Sequence, residues 1–142
     1  MKKKGIRIMV LLLLLFSMAV PVQSTSAASK SIKVKVTLVS AELTENNHVG
    51  NEWYTTASIN GKEISEGSSV VLELKSTESV KLKAYAEEQD KIPESATATA
   101  SIKASAVTKT ISKAVEVTVV ENRGRYSGNT ATWTFTFKVQ KK

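Results

Sequence analysis

Carboxylate side chains are concentrated in three polar stretches of this sequence, residues 41–52, 87–95 and 121–130, which hold eight of the 13 Asp and Glu residues. The same stretches contain only three of the Lys and Arg residues. Carboxylates on converging loops are ligands for Ca²⁺, which takes roughly six to eight oxygens. The sequence thus offers a candidate metal site made of Glu88, Asp90, Glu94 and Glu121.

Two observations weigh against bound calcium. Asp90 is the single aspartate of the chain, and no D-x-D spacing is present. Acidic residues are also common on solvated loops that hold no ion. No other cofactor is expected.

A second candidate site combines arginine, tyrosine and amide side chains. Two planar guanidiniums near a phenol can bind phosphate or carboxylate bidentately, or stack on a sugar. The alternative is a glycine-bent loop whose tyrosine covers one end of the fold and whose arginines neutralise neighbouring glutamates. The hypothesised ligand-binding residues are Arg123, Arg125, Tyr126, Asn46, Asn47 and His48.

Catalytic groups are scarce, so no enzymatic activity is expected. His48 is the only histidine, no G-x-S-x-G motif is present, and the chain has no cysteine. A catalytic triad needs a base held by a carboxylate beside a nucleophile, and zinc hydrolases commonly use more than one histidine. Lys–Ser dyads stay open in a chain that is rich in both residues.

Residues 1–28 have the pattern of a cleaved secretory signal peptide. Four basic residues precede an apolar run over 8–20, and small residues follow up to Ala28. The apolar run is too short to span a bilayer. We therefore expect an exported protein, either released or held in the cell wall. A lysine-rich leader on a domain without cysteine resembles those of Gram-positive bacteria.

The mature chain, residues 29–142, would carry 16 basic and 13 acidic residues, a net charge of +3. Such a modest, dispersed charge is weak support for a polyanion partner, and the main aromatics occupy expected core positions. No nucleic-acid partner is expected. The predicted partner is an extracellular or cell-wall ligand, without membrane contact.

The elements that must position these side chains are β-strands. In Ala131–Val139, apolar and polar residues alternate without a break, which places them on opposite faces of a strand. Similar patterns, together with the hairpin signal Asn60-Gly61, predict an all-β fold, a single eight-stranded antiparallel β-sandwich. The predicted strands are 32–39, 53–59, 62–65, 70–74, 80–86, 96–107, 111–120 and 131–139.

The strand order predicts where the polar stretches lie. Residues 96–107 are rich in alanine, but their alternation with Ser and Thr favours a strand over a helix. If every connection reverses the chain, the three acidic stretches follow odd-numbered strands and meet at one end. This inference requires that 62–65 be a genuine strand. Residues 29–31 and 141–142 are expected to be frayed ends.

Three segments, 46–53, 90–93 and 123–129, resemble those of small exported β-sandwich proteins of Gram-positive bacteria, some of which are described as C2-like. The resemblance implies functional loops at one end of a sandwich and carries over no catalytic residues. The leading hypothesis is a non-enzymatic exported binding module. The alternatives are a calcium-binding C2-like domain and a secreted membrane-active or antimicrobial protein, the latter suggested by the alternation of small and hydroxyl residues over 96–120.

Overall fold

Two four-stranded antiparallel sheets, packed face to face, make up the computed structural model of this protein. The structure describes residues 30–142, so the predicted signal peptide lies outside the described residues. The eight-stranded antiparallel sandwich predicted from the sequence is confirmed. Its strands are β1 Ser31–Asn46, β2 Trp53–Ile59, β3 Lys62–Ile64, β4 Ser69–Lys75, β5 Ser79–Glu88, β6 Glu94–Lys103, β7 Ile111–Val120 and β8 Thr130–Lys141.

Each sheet combines strands that are distant in the sequence. Sheet A has the order β4-β1-β8-β7, and sheet B has the order β3-β2-β5-β6. Strand β8 is an interior strand of sheet A, paired with β1 on one side and β7 on the other. Within residues 30–142, no helix is both long enough and apolar enough to cross a bilayer.

The core lies between the sheets and follows the alternation read from the sequence. On β8, Ala131, Phe135, Phe137 and Val139 are buried, and Trp133 is partly buried against them. From sheet B, strand β5 contributes Val80, Leu82, Ala84 and Ala86 to the core. Complete burial of a large apolar side chain stabilises the fold by about 1.5–3 kcal/mol, so these two strands supply a large part of the driving force.

Strand β1 is longer than the sequence predicted. Residues 41–46 were expected to form a polar connection, but they pair with β8, where Ala41 lies opposite Phe135 and Asn46 opposite Ala131. The register shifts between Leu38 and Ser40 and again further along. A bulge inserts an extra residue and interrupts the period of two, so the sequence pattern stopped indicating a strand. Glu42 and Glu45 therefore lie on β1 and not in a loop.

Two other boundaries differ from the prediction. Residues 104–106 form a 3₁₀ turn after β6, closed by a hydrogen bond from the N–H of Val107 to the carbonyl of Ala104. The C-terminal end is not frayed, since Lys141 belongs to β8 and the N–H of Lys142 donates to the carbonyl of Lys33. Ser31 is likewise paired, as the first residue of β1.

The hairpin between β2 and β3 is formed as predicted. Asn60 and Gly61 both have positive φ, 48° and 81°, as a type I′ turn requires. The Asn60 side chain also accepts a hydrogen bond from the N–H of Lys81 at 2.7 Å. Because β3 is a genuine strand, the condition for the acidic stretches to share one end is met.

Phe137→Ala tests the importance of the β8 alternation. Phe137 is fully buried, so its truncation is expected to lower the free energy of unfolding by about 3–5 kcal/mol. Thr136→Ala, on the opposite face of the same strand, is the control and should cost about 0.5 kcal/mol or less. Urea denaturation measures both. Equal losses for the two variants would contradict the assignment of faces on β8.

Candidate functional site

Three connections meet at one end of the sandwich, which we call the loop end: residues 47–52, 89–93 and 121–129. Hydrogen bonds from backbone N–H groups join them to each other and to the strands. The N–H of Gln89 donates to the carbonyl of Glu52 at 2.7 Å, and the N–H of Asn122 donates to Oε1 of Glu94 at 3.3 Å. The predicted convergence holds for these three connections, although residues 41–46 of the first acidic stretch lie on β1.

The hairpin of β5 and β6 carries two acids on its inner face. The inward positions of β5 run through Ala84 and Ala86 to Glu88, and those of β6 begin at Glu94. Glu88 and Glu94 are directly opposite one another in the strand register. Only 3% of Glu88 and 7% of Glu94 is exposed, so two carboxylates occupy the last layer of the core.

Asp90 completes a group that we call the acidic cluster: Glu88, Asp90 and Glu94. One carboxylate oxygen from each residue lies within 4.8 Å of the others. The N–H of Asp90 donates to Oε2 of Glu88 at 3.1 Å. Oε1 of Glu94 accepts from Asn122, but the buried Oε2 of Glu94 has no hydrogen-bond partner among the described residues.

Glu88 packs directly on the backbone of Gly50. A Cβ atom at Gly50 would lie 2.2 Å from Oε1 of Glu88, and Gly50 has φ of +136°, so both space and backbone conformation require glycine. Its carbonyl accepts a hydrogen bond from Nε1 of Trp53 at 3.3 Å. Trp53 contacts Trp133 edge-on across the sheets, with ring centroids 5.9 Å apart. The two indole rings are partly buried against the core beneath the loop end.

The surroundings of Glu88 raise the pKa of its carboxyl group. Burial is the main cause, the hydrogen bond from the Asp90 N–H opposes it, and the charges of Asp90, Glu121 and Glu94 add to it. Glu121 is not part of the acidic cluster, and its own Oε1 accepts from the N–H of Arg123 at 3.0 Å. The structure thus brings three of the four hypothesised metal ligands together and places Glu121 near them.

An aromatic pair lies beside the acidic cluster, and we call it the His48–Tyr126 rim. The two rings are stacked, with centroids 5.5 Å apart and planes 11° from parallel. A depression of about 370 Å³ opens against them, lined by Asn46, His48, Gly50, Asn51 and Tyr126. Two sequence stretches that are almost 80 residues apart therefore supply one surface.

His48 is held in an unusual backbone conformation, with φ of 57°. A residue other than glycine in this left-handed region costs roughly 1–2 kcal/mol and needs support from its surroundings. Asn46 supplies it, since its Oδ1 accepts from the N–H of Val49 at 3.0 Å and its Nδ2 donates to the carbonyl of Gly50 at 2.7 Å. Val49 is buried in the core and anchors the turn.

The remaining hypothesised ligand-binding residues are exposed around this rim. Arg123 precedes the short 3₁₀ turn Gly124–Tyr126 and Arg125 lies within it, and both residues are exposed. The N–H of Asn47 donates to the carbonyl of Thr130, and its Oδ1 lies 3.3 Å from Nδ1 of His48. The structure places Asn46, His48 and Tyr126 around one depression. The two arginines come shortly before Tyr126 in the sequence.

A larger depression, of about 620 Å³, lies on the outer face of sheet B. Its lining includes the small residues Ser58, Thr99 and Ala100 together with Lys81 and Lys83. None of its lining residues belongs to the loop end. The loop end is the candidate site because it holds the hypothesised ligand-binding and metal-binding residues.

Sequence reasoning missed Gly50, Asn51 and the inward orientation of the two glutamates. The signal for the glutamates was available: the alternation of β5 continues to Glu88, and that of β6 extends back to Glu94. Because Glu88 and Glu94 are charged at positions where the alternation expects apolar residues, residues 87–95 were interpreted as a connection. The stacking of His48 on Tyr126 has no signal in the sequence.

Glu88→Gln is expected to stabilise the protein when a chelator is present. The raised pKa of Glu88 means that the folded state holds this proton more tightly than the unfolded state. Stability is therefore lost as pH rises above the ordinary pKa of about 4.5, through the raised value. At neutral pH the variant should be more stable than the wild type because it loses a buried charge, which appears as a higher Tm.

Thermal melts at several pH values measure this effect, with Glu116→Gln on β7 as the exposed control. The advantage of Glu88→Gln should shrink as the pH approaches 4.5. A variant less stable than the wild type at neutral pH would contradict the destabilising role of the charge.

No protein-family model matches this chain, and no curated protein is found to match it. Of the resemblance to small exported β-sandwich proteins, the structure shows only the sandwich architecture. A function has to be argued from the residues of the loop end.

Proposed function

We propose that this protein is a non-enzymatic, exported binding module that recognises a glycan-type ligand of the cell surface or extracellular matrix. The observation that carries the proposal is the His48–Tyr126 rim, a preformed aromatic surface at the end of a rigid sandwich. Binding residues are often found on loops that a rigid scaffold positions, and this arrangement is of that kind.

The chemistry of the rim suits a polyhydroxylated ligand. Asn46 and Asn51 line the depression with amide groups that can both donate and accept hydrogen bonds. Tyr126 offers an exposed ring and a hydroxyl group, with 44% of the residue accessible. Apolar surface with a few polar groups around it is the usual composition of a small-molecule site.

Strain at His48 supports a functional role for this turn. A left-handed, non-glycine residue persists only where the surroundings hold it, and such residues cluster at binding and catalytic sites. Asn46 and Val49 fix the turn so that the imidazole stacks on Tyr126. Stability alone would favour glycine at position 48, so the presence of histidine favours a role for its side chain.

The surroundings of His48 favour binding over catalysis. Its imidazole lies beside the amide of Asn47 and the ring of Tyr126. Neither group can act as the carboxylate that orients a general base in a triad. The exposed Arg123 and Arg125 could add contacts to carboxylate or phosphate groups on the ligand.

We further propose export through the signal peptide, with the product either free or associated with the cell wall. A domain without cysteine depends on its apolar core for stability outside the cell, and the two sheets enclose such a core. The proposal of a membrane-active protein receives less support. Strands β6 and β7 pair into different sheets, so residues 96–120 do not form a membrane-type hairpin in this fold.

Tyr126→Ala should weaken retention on purified Gram-positive cell wall, or on an immobilised wall glycan, by about tenfold or more. The reason is the loss of an exposed stacking ring, since aromatic anchors often account for 1.4 kcal/mol or more of binding, about a factor of ten. Tyr54→Ala is the matched control, because Tyr54 is a similarly exposed tyrosine on strand β2 of sheet B. Equal retention of both variants would contradict the proposal.

The double variant Arg123→Ala/Arg125→Ala tests the contribution of charge in the same assay. If the arginines bind anionic groups, wild-type retention should fall with rising salt and the double variant should lose that dependence. Unchanged retention and salt dependence would remove the arginines from the site and leave the aromatic rim.

His48→Gly should separate stability from binding. Glycine adopts the left-handed conformation without a steric cost, so the Tm should stay level or rise by a few degrees. Retention on the same wall material should fall because the stacked imidazole is lost. A lower Tm with unchanged retention would show that His48 has a structural role only.

A further inference from the structure

We propose that the acidic cluster binds one hard divalent cation, Ca²⁺ by preference, through Glu88, Asp90 and Glu94. This site is separate from the His48–Tyr126 rim, so either proposal can fail without the other. Three carboxylates within 4.8 Å of one another are the geometric basis. Acidic groups alone are common without an ion, and two further observations distinguish this cluster.

The first observation is the position of Glu88 and Glu94 in the sheet. They are cross-strand partners on the inner face of the β5–β6 hairpin, next to the buried Ala86 and the partly buried Ala96. Like charges directly opposite each other on a sheet are destabilising. Burial adds to this cost, because a buried charge needs a partner of opposite sign or a metal.

The second observation is the unpartnered oxygen of Glu94. Its Oε2 is buried and accepts no hydrogen bond among the described residues, although 93% of the residue is removed from solvent. Its Oε1 is fixed by the N–H of Asn122, which prevents the carboxylate from turning freely. A buried acceptor without a donor costs roughly 1–3 kcal/mol, and a cation is a natural partner for it.

The surrounding structure holds the carboxylates in place. Glu88 is packed against the backbone of Gly50, and its Oε2 accepts from the N–H of Asp90. Asp90 accepts in turn from the N–H of Ile92 through Oδ1 at 2.7 Å. Two ligands come from strand ends and one from the turn between them, so a rigid hairpin would present all three to the ion.

The donor atoms select the class of ion. All three side chains offer oxygen, which suits Ca²⁺, Mg²⁺ or Mn²⁺ and not the softer metals that prefer thiolate or imidazole. Ca²⁺ accepts irregular geometry and bidentate carboxylates, whereas Mg²⁺ requires a near-ideal octahedron with several waters. Clustered, partly buried carboxylates favour Ca²⁺, and the exposed Asp90 leaves room for water ligands.

Terbium luminescence offers a direct test on the whole protein, because Tb³⁺ replaces Ca²⁺ at oxygen sites and emits when a nearby tryptophan is excited. Trp53 is the cross-strand partner of Glu88, so it lies next to the proposed site. The wild type and the control Glu116→Gln should show sensitised emission that added Ca²⁺ abolishes. Glu94→Gln and Asp90→Asn should bind Tb³⁺ about tenfold more weakly or worse.

The two variants guard against a folding artefact. Glu94→Gln keeps the acceptor for Asn122, and Asp90→Asn alters an exposed residue, so at least one should fold normally by circular dichroism. Absence of sensitised emission in the wild type, or equal affinities in the cluster variants and Glu116→Gln, would overturn the proposal. Displacement by Mg²⁺ at lower concentrations than by Ca²⁺ would overturn the preference for calcium.

Thermal melts supply an independent readout. An ion that binds only the folded state raises its stability, so Ca²⁺ should raise the wild-type Tm by several degrees relative to chelator. Glu94→Gln should show no such shift, and Glu116→Gln should shift as the wild type does. Identical melts of the wild type with Ca²⁺ and with chelator would contradict a site that is occupied at the calcium concentrations used.

Discussion

The strict alternation of side chains along a β-strand governs both the core and the loop end of this protein. Because every second residue of β5 and β6 faces inward, the positions that bury alanine in mid-strand bury Glu88 and Glu94 at the hairpin tip. A shift of one residue would move both glutamates to solvent and the core residues with them. The acidic cluster is thus tied to the same register that makes the fold.

The two parts of the loop end are positioned in different ways. The acidic cluster is carried by strand ends and braced by Gly50, whose lack of a side chain lets Glu88 pack on the backbone. The His48–Tyr126 rim is carried by turns, one stabilised by Asn46 and the other by a short 3₁₀ turn. Gly50 belongs to both, since it contacts Glu88 and lines the depression at the rim. A ligand or ion that moves this glycine could therefore affect both sites.

Much of the sandwich could be predicted because its strands show an uninterrupted period of two. Strand β7 was predicted with its observed bounds, and the alternation of β8 identified its buried face. The failures have local physical causes. Register shifts in β1 interrupted the period of two around residues 41–46, and a 3₁₀ turn closed by the Ala104 carbonyl ended β6 early. The candidate ligands could be named, but their grouping depends on register and on contacts between distant stretches, such as His48 with Tyr126.

The pairing of β1 with β8 joins the two ends of the described chain at the middle of sheet A. Until the last twelve-residue strand is available, β1 and β7 each lack their partner on that side. Topologies dominated by such distant contacts fold slowly, because a long loop must close before the contacts stabilise the fold. Without β8, strands β1 and β7 would each present an unpaired edge, the kind of surface through which β-sheet proteins aggregate.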